Sequence, residues 1–182
     1  MQETKTKKNL PIIIRPLHSK DYSAVLSIET DSFEFQWLRK DFIRALNQTN
    51  IKGKVAEYEG KVKGFMIYEL YKHKINIPNI ATAADFLGKG VGSKMVSKLI
   101  KKLSFQRKNR ITLEVRETNL PAQLFFRSQG FRATKILRNY YENYHEDVSE
   151  DAYRMEYRFG NPYVHLPFTP KNRISKHFKD AA

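Results

Sequence analysis

The 182-residue chain contains no cysteine. That absence removes disulfides, thiolate metal sites and a cysteine nucleophile, and it fits a reducing compartment. No apolar run approaches the roughly 20 residues of a membrane-spanning helix; "GFMIYELY" is only strand-sized. The first ten residues, "MQETKTKKNL", lack the apolar stretch of a secretory signal. Together these absences predict a cytoplasmic protein with no membrane association. Acidic residues are scarce, 19 against 33 Lys and Arg, for a formal net charge of +14. Such a field attracts phosphate-rich partners, nucleic acid and the ribosome among them, although a lysine-rich solvated surface gives the same sum. What the chain does have is a core: 41% hydrophobic and 13% aromatic residues argue for one packed domain and against disorder.

The apolar pattern sets the order of elements. "PIIIRPL" (11–17) reads as a strand closed by proline. An imperfect helical stripe runs over 19–33, and a second helix over 38–48 places Leu38, Phe42, Ile43 and Leu46 on one face. Three antiparallel strands follow, ending near Thr82, with Glu59-Gly60 as a tight turn between two of them. After "LGKGVGSK" (87–94), Val91, Met95, Val96, Leu99, Ile100 and Leu103 form an amphipathic helix with Lys94, Lys98, Lys101 and Lys102 off its apolar face. "RITLEVR" (110–116) alternates as a strand. Asn119 as N-cap, Pro121 in the first turn and Gly130 as stop predict a helix over 120–129. "FRATKILR" and "DAYRMEYRF" read as closing strands. The order β-α-α-β-β-β-α-β-α-β-β predicts an α/β (α+β) domain with a mixed sheet. This domain spans 11–159, between a disordered N-terminal tail (1–10) and a basic, proline-containing C-terminal tail (160–182).

Glycines, lysines and a helix start make "LGKGVGSK" an anion cradle: backbone N–H groups approach closely and the helix dipole adds positive potential. A Walker loop requires Gly-Lys-Ser/Thr, and Ser93-Lys94-Met95 stands in that place. A dinucleotide fingerprint requires a third glycine where Ser93 or Met95 falls, and a loop after the first strand. Neither pattern fits. "DFLGKGVGSKMVSKLI" instead resembles the coenzyme A loop of the GNAT N-acetyltransferase superfamily, Gln/Arg-x-x-Gly-x-Gly/Ala, with Leu87, Gly90 and Gly92 at the pattern positions. Leu87 departs from the usual Gln or Arg. "ITLEVRETNLPAQLFFRSQGF", "LRNYY" and "EDAYRM" resemble, in order and spacing, the RimI-like branch, the ribosomal-protein-alanine N-acetyltransferases. The resemblance covers about residues 12–158.

The resemblance implies a GNAT fold: a mixed, mostly antiparallel central sheet of about seven strands with about four helices. It implies acetyl transfer from acetyl-CoA to the N-terminal α-amine of a protein, a ribosomal protein first among candidates. Ile80, Ala81 and Thr82 would pair with the pantetheine arm. Gly88, Lys89, Gly90, Val91, Gly92 and Ser93 would hold the pyrophosphate, and Asn119 would contact the cofactor, a role its cap function neither requires nor excludes. Glu114 is the implied general base; alternation in "TLEVR" puts it on the sheet face opposite Leu113 and Val115, as it would a plain surface glutamate. The branch's usual tyrosine acid falls at Phe126, which has no proton to give. Tyr141 is the candidate substitute, and Tyr140 and Tyr141 match the aromatics that flank the entering N-terminus; packing on a closing hairpin is the other reading of Tyr140.

His145, Glu146 and Asp147 are consecutive and cannot easily converge on one ion, so no metal is expected. Two alternatives share the sequence: a GNAT enzyme acting on lysine or a small polyamine, and a non-catalytic ribosome- or RNA-binding module with a decayed cofactor loop. The basic surface and the tail residues Lys171, Arg173, Lys176 and Lys179 suggest ribosome or RNA contact in either case.

Overall fold

The computed structural model describes residues 11–143 and 148–160; the expectations for residues 1–10, His145, Glu146, Asp147 and the tail beyond Gly160 lie outside them. The elements follow the predicted order. They are β1 (Ile13–Pro16), a 3-10 turn (Ser19–Asp21), α1 (Tyr22–Ser32), α2 (Arg39–Leu46), β2 (Ile51–Tyr58), β3 (Lys61–Leu70) and β4 (Lys74–Thr82). A second 3-10 turn (Ala84–Phe86), α3 (Val91–Ile100), β5 (Arg110–Arg116), α4 (Leu120–Ser128), β6 (Arg132–Asn143) and β7 (Val148–Arg158) complete them. The seven strands hydrogen-bond in the order β1-β2-β3-β4-β5-β7-β6. Pairings β1–β2, β2–β3, β5–β7 and β6–β7 are antiparallel, and β4–β5 is parallel. This is the mixed, mostly antiparallel sheet expected.

The described residues form two compact units, one up to Leu70 plus Ile77–Lys102, the other Tyr71–Asn76 plus the chain from Leu103. In the first, β2 and β3 join at Glu59 and Gly60, both with positive φ (50° and 74°), the geometry of a two-residue hairpin turn. One face of these strands packs Val55, Phe65 and Ile67 against Val25, Ile28, Phe42 and Ala45. Phe42 bridges Trp37 and Phe65 edge-on, with ring centroids 5.3 and 5.6 Å away. Each such side chain contributes about 1.5–3 kcal/mol by leaving water. The other face carries α3, with Val91, Met95, Val96 and Leu99 buried. In the second unit the rings of Phe126, Phe131 and Tyr157 meet in series, edge-on and tilted, and Ile111, Leu113 and Met155 are buried as they are.

Three local expectations are corrected. Leu38 is not on a buried face: it is the half-exposed residue before α2, its N–H bonded to the Asp41 carboxylate at 2.9 Å, and Phe42 and Ala45 supply the buried stripe. Leu103 lies beyond α3, which ends at Ile100. Tyr140 and Tyr141, past the end of the strand expected over "FRATKILR", are on β6, which runs on to Asn143. Tyrosine favours a half-buried strand, and a bulge between Leu137 and Tyr141, with Asn139 at φ 51°, lets the ladder continue past "RNYY".

Candidate active site

The glycine loop belongs to the first unit. Gly88 and Gly90 adopt φ of +73° and +80°, a region that disfavours side chains, and a Cβ at either would meet nothing within 4 Å. Glycine is therefore required by backbone conformation, and the space above the loop is open. Gly90 caps α3, and its carbonyl accepts the first helical bond, from Lys94 N–H at 3.0 Å. The N–H groups of Val91, Gly92 and Ser93 consequently have no acceptor within the helix. Three donors, the positive end of the dipole and open space suit a pyrophosphate. Lys89 is close by, its ammonium 4.8 Å from the Phe86 ring centre, a ring that Lys63 also approaches at 4.8 Å. Lys63 pairs with Asp85 at 2.6 Å and, by that hydrogen bond, holds the Asp85 carboxyl below the usual range. Leu87, 64% exposed, contributes no charge.

A glycine in β3 sets the height of this loop. A Cβ at Gly64 would lie 2.8 Å from Val91 Cγ1 and 2.9 Å from the Ala81 carbonyl oxygen. The first turn of α3 thus rests directly on β3, beside Ala81 of β4. Ala81 is buried, with Ile80 and Thr82 half-buried on either side. Register pairing of β4 with β5 covers only Lys74–Asn76, against Arg110–Thr112, where the Thr112 hydroxyl donates to Asn76 Oδ1 at 2.8 Å.

Beneath the first unit's other face lies a buried carboxylate the sequence did not single out. Glu29, 1% exposed, accepts from Trp37 N–H at 2.7 Å and from Asn79 Nδ2 at 3.0 Å. Burial pushes its carboxyl up, against the opposing pull of those two donors. Asn79 Oδ1 is buried with no partner among the described residues.

The second unit holds the other predicted residues. Glu114 is on β5 between buried Leu113 and Val115, as alternation requires, with its side chain only 13% exposed. It is thus no solvated surface glutamate. Arg154 Nε, directly opposite on β7, donates to Glu114 Oε1 at 3.0 Å. Tyr141 lies within electrostatic reach of Glu114. Burial pushes its phenol up to about 12, Tyr140 adding to the effect and Arg116 opposing it. The Arg116 guanidinium sits 4.1 Å from the Tyr141 ring centre and pairs with Glu150 at 2.5 Å. Burial raises the Glu150 carboxyl, but the Thr118 hydroxyl and N–H together with Arg116 outweigh it, leaving Glu150 below its ordinary value. Tyr140, 47% exposed, meets Tyr141 edge-on at 5.0 Å.

Asn119 stands at the start of α4, its Oδ1 accepting from Ala122 N–H at 3.1 Å, so the cap is made. Phe126 is 4% exposed and packs against Phe125 and Phe131. Among the described residues no group of three or more His, Asp or Glu is placed to hold a metal, and no helix is long and apolar enough to cross a membrane.

Residues 22–131 match the family model described as Acetyltransferase (GNAT) family. The chain belongs to the GNAT acetyltransferase family. Within it, the chain is 30% identical over 128 residues to the ribosomal protein bS18-alanine N-acetyltransferase of Escherichia coli, covering 70% of this chain and 86% of that one. It is likewise 30% identical over 132 residues to an uncharacterized N-acetyltransferase of Methanocaldococcus jannaschii, covering 72% and 85%. The crystal structure of the ribosomal-protein-S18-alanine N-acetyltransferase from Escherichia coli superposes with a TM-score of 0.73 at 28% identity, over 87% of this chain and all of that one. The GNAT fold inferred from the motifs is therefore the fold observed. What the motifs did not reveal in this GNAT chain is the polar frame around the tyrosines: Arg154, Arg116, Glu150 and Thr118. Glu150 and Arg154 stand in "EDAYRM", but nothing there shows the β7 register that sets Arg154 opposite Glu114 on β5.

Proposed function

We propose that this chain transfers the acetyl group of acetyl-CoA to the N-terminal α-amine of a protein, a ribosomal protein in the first instance, in the cytoplasm. The observation that carries the reading is similarity over 70% of the chain to an enzyme named for that reaction, and the open glycine cradle at the start of α3 supports it.

Acetyl-CoA as co-substrate supplies an activated thioester. Val91, Gly92 and Ser93 N–H groups bind its pyrophosphate, with Lys89 adding charge, and the backbone of Ile80–Thr82 pairs with the pantetheine arm. Asn119 adds a cofactor contact through the part of its amide that the cap does not use. The reaction forms an N–C bond and breaks the C–S bond, and the amine must surrender a proton to attack. An α-amine titrates near 7.7–8.0, so neutral water is close to sufficient and a modest base completes the task. Glu114 is that base, its carboxylate oriented by Arg154. Tyr140 and Tyr141 flank the arriving N-terminus, and the Tyr141 phenol, protonated throughout the physiological range, donates a hydrogen bond to the departing sulfur. The basic surface and the tail from residue 160 contact the ribosome and take no part in the chemistry.

Mass spectrometry of short peptides incubated with acetyl-CoA tests this. Free-N-terminus peptides acquire one acetyl group at the α-amine, and N-terminally blocked peptides containing lysine acquire none. Acetylation of the blocked peptides alone would move the substrate to the lysine side chain. No acetylation of either, with acetyl-CoA failing to bind, would favour the non-catalytic module that Leu87 and Phe126 suggest.

A further inference from the structure

On the α3 side of the first unit, charge of one sign accumulates without compensation. The residues of β3 that face α3 are Gly64, Met66 and Tyr68, as the contacts of Gly64 with Val91 and Met95 establish. In the β2–β3 register Lys54 lies opposite Met66 and Lys52 opposite Tyr68, so both lysines share that face. From the helix side, Lys102 Nζ donates to the Tyr68 hydroxyl at 3.3 Å and lies 5.4 Å from its ring centre. Lys98 is one helical turn earlier. Lys54 is half-buried, and burial together with the charges of Lys102 and Lys98 disfavours its protonated form.

Among the described residues no acid pairs with these lysines. The segment 91–102 contains Lys94, Lys98, Lys101 and Lys102 and no Asp or Glu. The one acid of β2, Glu57, bonds Arg15 at 2.7 Å. Among the described residues, Lys52, Lys54, Lys98 and Lys102 form no ion pair. Lysines at a helix C-terminus complement its dipole, which accounts for Lys98, Lys101 and Lys102. It does not account for Lys54, half-buried on a neighbouring strand and facing the same cations. A like-charged cluster held together by the fold is stabilised by an external polyanion.

We propose that this face, formed by Lys52, Lys54, Lys98 and Lys102, docks the phosphate backbone of RNA. Lysine, a compact hydrated point charge, suits phosphate without base readout. Among the described residues no large hydrophobic side chain is exposed on β2 or α3, so the face lacks the apolar centre of a protein interface. It is also remote from the glycine cradle: α3 ends at Ile100, about 15 Å along its axis from Gly90 at about 1.5 Å per residue, and Lys102 lies beyond that end. The proposal gives a location to the ribosome contact advanced above and does not depend on acetyl transfer.

The test uses the full chain and a fluorescein-labelled RNA of about 20 nucleotides, with anisotropy titrations between about 50 and 200 mM salt. The triple variant Lys54→Gln, Lys98→Gln, Lys102→Gln binds about tenfold more weakly or worse at the lower salt, and its log–log salt slope falls by about 2, near 0.7 per lost contact. A triple with the same net charge, Lys20→Gln, Lys40→Gln, Lys135→Gln, keeps the wild-type slope. Equal losses in both triples, or unchanged binding in the first, would overturn the proposal. If the first triple does not fold, Lys98→Gln with Lys102→Gln, both exposed, lowers the slope by about 1.4; no change there overturns it equally. A charge cluster without a partner also predicts that Lys54→Met raises the melting temperature at low salt, whereas a compensated lysine would lower it. Short-peptide acetylation, measured in parallel, stays at the wild-type level in the triple, which separates this result from the acetyl-transfer reading.

Discussion

Glu114 on β5 and Arg154 on β7 stand directly opposite each other in the antiparallel register and close a 3.0 Å ion pair. The bond uses Oε1, leaving Oε2 to receive a proton from an amine. Glu114→Gln keeps the shape and loses the base. Turnover falls by about 100-fold or more near neutral pH, and the defect shrinks as pH rises past the amine's own value. Arg154→Met leaves the carboxylate in place but disorients it, so kcat falls more than KM changes. Steady-state rates on one peptide between about pH 6.5 and 9 measure both, and a pH-independent Glu114→Gln defect would remove the base assignment.

Tyr141, with its phenol pushed up to about 12, has a limited range of roles. Giving its proton outright to a thiolate whose ordinary value is near 8.5 runs uphill by about 5 kcal/mol. Hydrogen-bond donation requires no such transfer. Tyr141→Phe therefore lowers kcat by about tenfold, the worth of one hydrogen bond to a charged group. Because the folded-state value is raised, this group's contribution to stability is complete below about pH 10 and is lost as pH rises towards 12. The pH–rate profile of the wild type accordingly shows no descending limb from Tyr141 below about pH 10.

Gly64 and Gly90 separate packing from binding. Gly64→Ala forces a methyl against Val91 Cγ1 and the Ala81 carbonyl, lifts α3, and costs about 1–3 kcal/mol of stability as overpacking does. Both melting temperature and acetyl-CoA affinity fall. Gly90→Asp meets no neighbour, costs only about 1–2 kcal/mol of left-handed backbone strain, and places a negative charge where phosphate would bind. Calorimetry on that variant shows acetyl-CoA binding abolished in a protein that still melts cooperatively.

Glu29 yields the fourth prediction. A carboxyl with a raised folded value contributes stability that is fully present below its unfolded value and is lost as pH rises through the folded one. Glu29→Gln removes that penalty, and a flip of the Asn79 amide turns its Oδ1, which has no partner among the described residues, towards the new NH2 group that replaces the oxygen now accepting from Asn79 Nδ2. The variant is as stable as the wild type or more so at neutral pH, and its stability varies less with pH. Glu29→Ala strands the Trp37 N–H and the Asn79 amide and loses about 3 kcal/mol. Denaturant melts at several pH values distinguish the two.

Much of this architecture was legible in the residues. Glu59-Gly60 marked its hairpin because two consecutive positive φ values leave few residue choices, and Asn119, Pro121 and Gly130 bracketed α4 because capping is local chemistry. The alternation of Leu113, Glu114 and Val115 placed the carboxylate on the correct face. The sequence was silent wherever a partner is set by long-range register. Nothing near Glu114 announces Arg154, 40 residues away, and nothing near Glu29 announces Asn79, 50 residues away. The stacked position of α3 was equally hidden, since Gly64 inside a strand pattern reads the same whether it admits a helix or merely weakens the strand.

The bulge in β6 has a consequence for which changes of length the chain tolerates. Between the pairs Leu137–Ala152 and Tyr141–Glu150, β6 spends four steps while β7 spends two. The surplus is pinned, with Asn139 N–H on Asp151 at 2.9 Å and the Ser149 hydroxyl on Asn139 Oδ1 at 2.7 Å. An even surplus preserves sidedness, so Tyr141 still faces the way that regular alternation from Leu137 would send it. Deleting two residues here shortens the kink and keeps Tyr141 on the Arg116 side; deleting or inserting one turns it to the opposite face unless a one-residue bulge takes up the odd step, as happens between Ala133 and Lys135. Relatives that retain the tyrosine should therefore differ in length across this segment by even numbers, or carry a bulge where the difference is odd, a parity rule that no single substitution would reveal.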